Sequence, residues 1–165
     1  MKTASEILKY AMEMELRGKE FYSMYKDKVS NPQIKDIFEG LSSVEDDHYN
    51  ILKRQLESID KNQEFEDIDL SSDSGNNIFS SNTKEISNVN LEYGVSDLPI
   101  LRMAYLIEND FVTFYENAME KISDPKGKEI LKALYEWEIV HRDGFYSEYK
   151  KLMEDNWFDQ EFYPF

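Results

Sequence analysis

The chain has no cysteine among its 165 residues. Disulfides, zinc ribbons, thiolate-held iron–sulfur clusters and cysteine nucleophiles are thereby excluded. Positive charge is also short: 19 Lys and Arg stand against 34 Asp and Glu, a formal net charge of −15. A nucleic-acid backbone or an anionic membrane would repel such a chain, so neither is expected as a partner. No apolar run reaches the length needed to span a bilayer. The opening stretch MKTASEILKYAMEMELRGKEF is charged throughout and does not read as a signal peptide. The expected location is therefore the cytoplasm. Histidine occurs only twice, at His48 and His141.

What is present suffices for one folded domain. Hydrophobic residues make up 41% of the chain and aromatics 14%, enough apolar mass for a single core. Four long segments carry helical periodicity. The first opens at Thr3, where TASE has the capping-box pattern with Glu6 three residues on, and should end near Val29. The second opens at Asn31-Pro32, a good N-cap followed by proline at the first helical position, and continues through Leu56. The third runs from about Pro99 to Ile122. The fourth opens at Asp124-Pro125 with the same chemistry and runs to about Glu154.

Between the second and third helices lies a stretch rich in Ser, Asn and Asp, about residues 59–96. A structureless loop of that length is unusual inside a compact domain. A disordered linker is one reading. The preferred one is a crossover packed along the bundle and anchored by Phe65, Ile68, Leu70, Ile78 and Phe79, with a short helix around Thr83 to Val89. The aromatic tail, residues 155–165, is expected to pack on the bundle or on a partner subunit, so a homodimer is one expectation.

A shift of 93 residues, the distance from His48 to His141, aligns the chain with itself without a gap over some fifty residues. Leu8 falls on Leu101, Ala11 on Ala104 and Glu15 on Glu108. Phe21-Tyr22 falls on Phe114-Tyr115, Pro32 on Pro125, Leu41 on Leu134 and Glu45 on Glu138. The chain is therefore two copies of a helical hairpin, at about 3–58 and 97–154, joined by the crossover. Two such hairpins pack as an all-α four-helix bundle.

The repeat carries the chemistry. Each histidine has a glutamate three residues before it, Glu45 and Glu138, on the same helix face. Each first helix adds a glutamate on its inward stripe, Glu15 and Glu108, with Tyr22 and Tyr115 seven residues on and on the same face. Four carboxylates and two imidazoles are thus aimed at one interior. Burying four carboxylates without counter-charge is very costly. Two divalent cations would remove that cost, and oxygen and nitrogen donors without sulfur suit iron or manganese. The metal ligands expected are Glu15, Glu45, His48, Glu108, Glu138 and His141. Tyr22 and Tyr115 are candidates to hydrogen-bond ligand carboxylates, with plain core packing as the alternative. Glu13, Glu20, Asp46, Asp47 and Glu136 lack an acidic match in the other repeat and should lie on solvated faces.

This pattern resembles the ferritin-like superfamily, in which one Glu from each of two helices joins a Glu-x-x-His from each of the other two. The rubrerythrin branch is the most similar. IFEGLSSVEDDH (Ile37–His48) resembles its second helix, and ELRGKEFY (Glu15–Tyr22) has its first-helix spacing from ligand Glu to Tyr. The resemblance implies a ferritin-like bundle and a di-iron site, bridged by Glu45 and Glu138, that reduces hydrogen peroxide or dioxygen. Two departures matter. Rubrerythrins usually carry a four-cysteine rubredoxin-like module that feeds the site electrons. Without cysteine, electrons must come from a separate donor protein. An extra ligand glutamate usually follows the third-helix Glu by one turn. Here that place holds Phe111, whose repeat partner is Gly18. Iron handling or storage, and a metal kept only for stability, are the competing readings.

Overall fold

The structure is a computed structural model that describes residues 3–71, 78–79 and 95–158. Four helices account for most of it: α1 (Ala4–Tyr25), α2 (Pro32–Asn62), α3 (Leu98–Lys121) and α4 (Pro125–Phe158), with a 3-10 turn (Val95–Asp97) before α3. The expected all-α bundle of two hairpins is what forms.

The caps follow the local chemistry. The Thr3 hydroxyl accepts from the Glu6 amide at 3.2 Å, and the Glu6 carboxylate accepts from the Thr3 amide at 2.7 Å, so two donors at the start of α1 are satisfied reciprocally. Asn31 Oδ1 accepts from the Gln33 amide at 2.9 Å, and Asp124 Oδ1 does the same for Gly127 at 2.9 Å. The helix ends differ from the expected bounds. α1 stops at Tyr25, short of Val29; a turn follows in which the Lys28 and Val29 amides both donate to the Tyr25 carbonyl, at 2.9 and 3.1 Å, and Asn31, which precedes a proline, is then extended at φ −78° and ψ 120°. α2 runs past Leu56 to a left-handed stop at Gln63, φ 61°. α4 passes Glu154 and reaches Phe158.

Within each hairpin the helices pack along their lengths, α1 on α2 and α3 on α4. The apolar interior is split in two. One cluster gathers Ile7, Leu8 and Ala11 of α1, Leu52 of α2, Phe111 and Tyr115 of α3, and Leu131 and Leu134 of α4. The other gathers Tyr22, Ile34, Phe38, Leu41, Leu101, Ala104 and Phe145. The polar layer described below lies on the helix segments between these clusters.

The crossover packs along the bundle where the structure describes it. Phe65, Ile68 and Leu70 join the first cluster, and Ile78 and Phe79 join the second. Gln55, fully buried on α2, clasps the crossover backbone at Glu66: its Oε1 accepts from the Glu66 amide at 2.9 Å and its Nε2 donates to the Glu66 carbonyl at 3.2 Å. Phe79 lies flat over Gly144, where an added Cβ would come within 2.6 Å of its ring. The helix expected at 83–89 and the tail from 159 onward lie outside the described residues.

Asp97 joins the two hairpins. Its side chain does not cap α3; it is fully buried and accepts from the Ser30 amide at 2.8 Å, the Ser30 hydroxyl at 3.1 Å and the Asn31 amide at 2.9 Å. The Asp97→Ala variant takes a buried carboxylate acceptor from two half-buried backbone amides and should lose about 2 kcal/mol of stability. Urea unfolding of the two proteins measures it. An unchanged midpoint would mean that this tie contributes nothing.

Candidate metal centre

The six residues singled out by the repeat are brought together. Glu15, Glu45, His48, Glu108, Glu138 and His141 are all fully buried. They form two overlapping groups, Glu15–Glu45–His48–Glu138 and Glu45–Glu108–Glu138–His141, and within each group the donor atoms lie within 4.8 Å of one another. Glu45 and Glu138 belong to both groups. The unmatched acids stay outside: Glu13, Glu20, Asp47 and Glu136 are exposed, and the half-exposed Asp46 pairs with Lys19 at 2.7 Å.

The arrangement is close to two-fold. His48 Nδ1 lies 2.9 Å from Glu138 Oε1, 3.2 Å from Glu45 Oε2 and 3.4 Å from Glu15 Oε2. His141 Nδ1 lies 3.2 Å from Glu138 Oε2, 3.7 Å from Glu108 Oε2 and 3.9 Å from Glu45 Oε1. Both imidazoles therefore turn Nδ1 toward the carboxylates. The tyrosines complete the pattern by crossing over: Tyr22 of α1 donates to Glu108 of α3, and Tyr115 of α3 donates to Glu15 of α1. Each tyrosine thus holds the glutamate of the other hairpin, not the one on its own helix. These paired contacts also run α1 against α3 and α2 against α4.

The flanks of the two histidines differ. The His48 ring stacks on Trp137, with centroids 5.2 Å apart and planes 12° from parallel. His141 has Phe79 of the crossover at 6.5 Å. Sequence reasoning did not find Trp137. The repeat offers no signal for it, since its counterpart in the first hairpin is Val44.

The electrostatics show what the cluster needs. Burial, reinforced by Glu138 and Glu108, pushes Glu45 well above the ordinary carboxylate range. Burial likewise pushes Glu108 up to about 8, with Glu138 adding to it. Burial acts the same way on Glu138, but His48 and His141 outweigh it and hold that carboxyl well below its usual range. Burial disfavours charge on the imidazoles, yet the facing carboxylates prevail: His48 is raised by Glu138 and Glu15, and His141 is raised to about 9 by Glu108 and Glu138. Burial and the nearby glutamates keep Tyr22 and Tyr115 protonated, as hydrogen-bond donors. Without cations, then, protons neutralise the cluster.

That solution leaves hydrogen bonding unmet. Glu15 Oε2, both oxygens of Glu45, Glu108 Oε2 and Glu138 Oε1 are buried and make no hydrogen bond of proper geometry among the described residues. Orphaned buried carboxylate oxygens are costly. Their convergence with two imidazole nitrogens fits divalent cations that take oxygen and nitrogen donors. These buried groups can hold metal. No helix among the described residues is long and apolar enough to cross a membrane.

A family model described as Rubrerythrin matches residues 6–153. No curated protein and no solved structure matches the chain.

Proposed function

The chain belongs to the rubrerythrin family, and on that footing we propose that it is a di-iron oxidoreductase that reduces hydrogen peroxide or dioxygen with electrons from a separate donor protein. The observation that carries this reading is the shared pair: Glu45 and Glu138 belong to both donor groups, so two ions held there would lie side by side. Glu15 and His48 would complete one position, and Glu108 and His141 the other. Bound as ferrous ions, the pair supplies two electrons, which with two protons convert one hydrogen peroxide into two waters.

The protein's own part is to hold, orient and exclude water. The hydroxyls of Tyr115 and Tyr22 fix Glu15 and Glu108 from across the bundle, and such outer contacts orient ligands and tune the metal. Full burial of all six side chains keeps bulk water away from them. No cysteine is among these 165 residues for an electron-feeding rubredoxin-type site, which supports a donor outside them. Manganese suits the same donor set.

A second reading, iron handling, draws on the net charge of −15, which would attract cations. Anaerobic ferrous loading, followed by separate mixing with peroxide and with dioxygen, tests both. Fast oxidation at about two ions per chain, with repeated turnover once a reductase and a donor are added, is the result expected. Oxidation that stops after one cycle with every donor, in a cage-sized particle holding many irons, would replace it with storage.

A further inference from the structure

A cavity of about 420 Å³ opens on the outer side of the α1–α3 contact, lined by Tyr10, Met14, Gly18, Ile107, Phe111 and Phe114. The volume is that of a small-molecule pocket; Met14, Ile107, Phe111 and Phe114 supply its apolar side, and Arg17, Asp110 and Thr113 lie on a polar side of nearly equal extent. The charged residues that border it, Arg17 and Asp110, are exposed. Two further cavities, one at Arg102, Tyr105, Tyr146 and Tyr149 and one around Arg54 and Lys61, include neither Gly18 nor Phe111 nor any of the six clustered residues.

The floor of the α1–α3 cavity is thin. A Cβ built on Gly18 would lie 2.9 Å from Phe111 Cζ and 3.6 Å from Glu45 Cγ. Gly18 is thus in reach of both the ring that lines the cavity and a carboxylate shared by the two donor groups. One backbone and one phenyl ring separate the cavity from the cluster. The other flanks carry Trp137 against His48 and Phe79 near His141. Gly18 and Phe111 are repeat partners, so the ring of one hairpin fills the space that the other leaves open.

We infer that the α1–α3 cavity is the entry route by which a small uncharged molecule reaches the cluster, and that Phe111 seated on Gly18 sets the size limit. The step past the Phe111 ring at Gly18 is apolar and so favours neutral solutes and disfavours ions. Peroxides and diatomic gases qualify; ferrous ions must enter elsewhere. The inference rests on the proposed oxidant chemistry only for the identity of the physiological traveller.

Two variants and two probes test it on ferrous-loaded protein of equal metal content. Phe111→Ala, or Phe111→Leu should the alanine variant fail to fold, removes the limit. Thr113→Trp, at an exposed position on the cavity wall, obstructs the route without disturbing the core. The first probe is nitric oxide association, followed by stopped-flow absorbance; it needs no peroxide activity. The second is the ratio of oxidation rates with cumene hydroperoxide and with hydrogen peroxide. The Phe111 variant should raise that ratio about tenfold or more, the scale on which a tight apolar passage discriminates by size. Thr113→Trp should slow nitric oxide association. Nitric oxide rates that respond as expected, in a protein inert to peroxides and to dioxygen, would keep the route and sink the oxidoreductase. Unchanged rates and ratio in both variants would sink the route, whatever the activity.

Discussion

Glu138→Gln should empty both metal positions, whereas Glu15→Gln should empty only one. Glu138 stands in both donor groups, and Glu15 in the first alone. Elemental analysis of iron-loaded protein should fall from about two ions per chain to nearly none in the first variant and to about one in the second. The asymmetry has an electrostatic side. Glu138 is the carboxylate that stays ionised opposite His48 and His141, so its loss also removes the counter-charge of two buried imidazoles, a change of several kcal/mol. Circular dichroism at low temperature must therefore establish native helicity before metal is counted. Equal metal contents in two folded variants would show that the shared position of Glu138 has no bearing on binding.

Stability of the metal-free protein should decline as pH rises from about 5 to about 9, and added metal should reverse the decline. Glu108 keeps its proton up to about 8 when folded but loses it near 4.5 when unfolded. Across that interval the folded state binds more protons, so its stability falls with rising pH. Glu45 moves in the same direction. His141 stays charged to about 9 when folded and to 6.5 when unfolded. Its contribution is full below the lower value and lost as pH climbs through the higher, again a fall. Within the cluster Glu138 has the opposite sign, and its contribution fades in acid, below the ordinary carboxylate range. Metal ligation strips these protons, so the stabilisation by metal should grow with pH. Each occupied site at a thousandfold excess over its Kd adds about 4 kcal/mol. Two sites in a domain of this size should raise Tm by about 15 °C or more. Calorimetry with manganese(II) and with a chelator, at pH values of about 5.5 and about 8.5, compares the two forms. A metal-induced gain that shrinks as the solution turns alkaline would contradict the assignment of these groups.

Much of this architecture could be read in the residues because it is governed by short-range chemistry. Thr3 with Glu6, and the Asn-Pro and Asp-Pro pairs, mark three helix starts through capping alone. The 93-residue repeat places the six polar residues on equivalent helix faces, and helical periodicity turns all of them inward. Features that depend on another element were not legible. Asp97 stands just before Leu98-Pro99 with no sequence mark of a distant partner, yet its carboxylate serves Ser30 and Asn31. Spacing makes Tyr22 and Tyr115 candidates to bond ligand carboxylates or to pack in the core, but does not say which carboxylates; the bonds formed run between hairpins. Trp137 and Phe79 shield opposite histidines, but neither has a repeat counterpart that would mark it. The far end of α2 depends on where Gln63 can turn left-handed, which periodicity does not encode.

The crossed tyrosine contacts constrain how such a protein could be halved. One hairpin alone holds a glutamate without its tyrosine and a tyrosine without its glutamate. Two identical half-length chains, paired about a two-fold axis, would satisfy both at once. They would also place two phenylalanines or two glycines where Phe111 now meets Gly18, giving a collision or a hole. Tandem fusion removes that restriction, because a single chain can vary one half independently of the other.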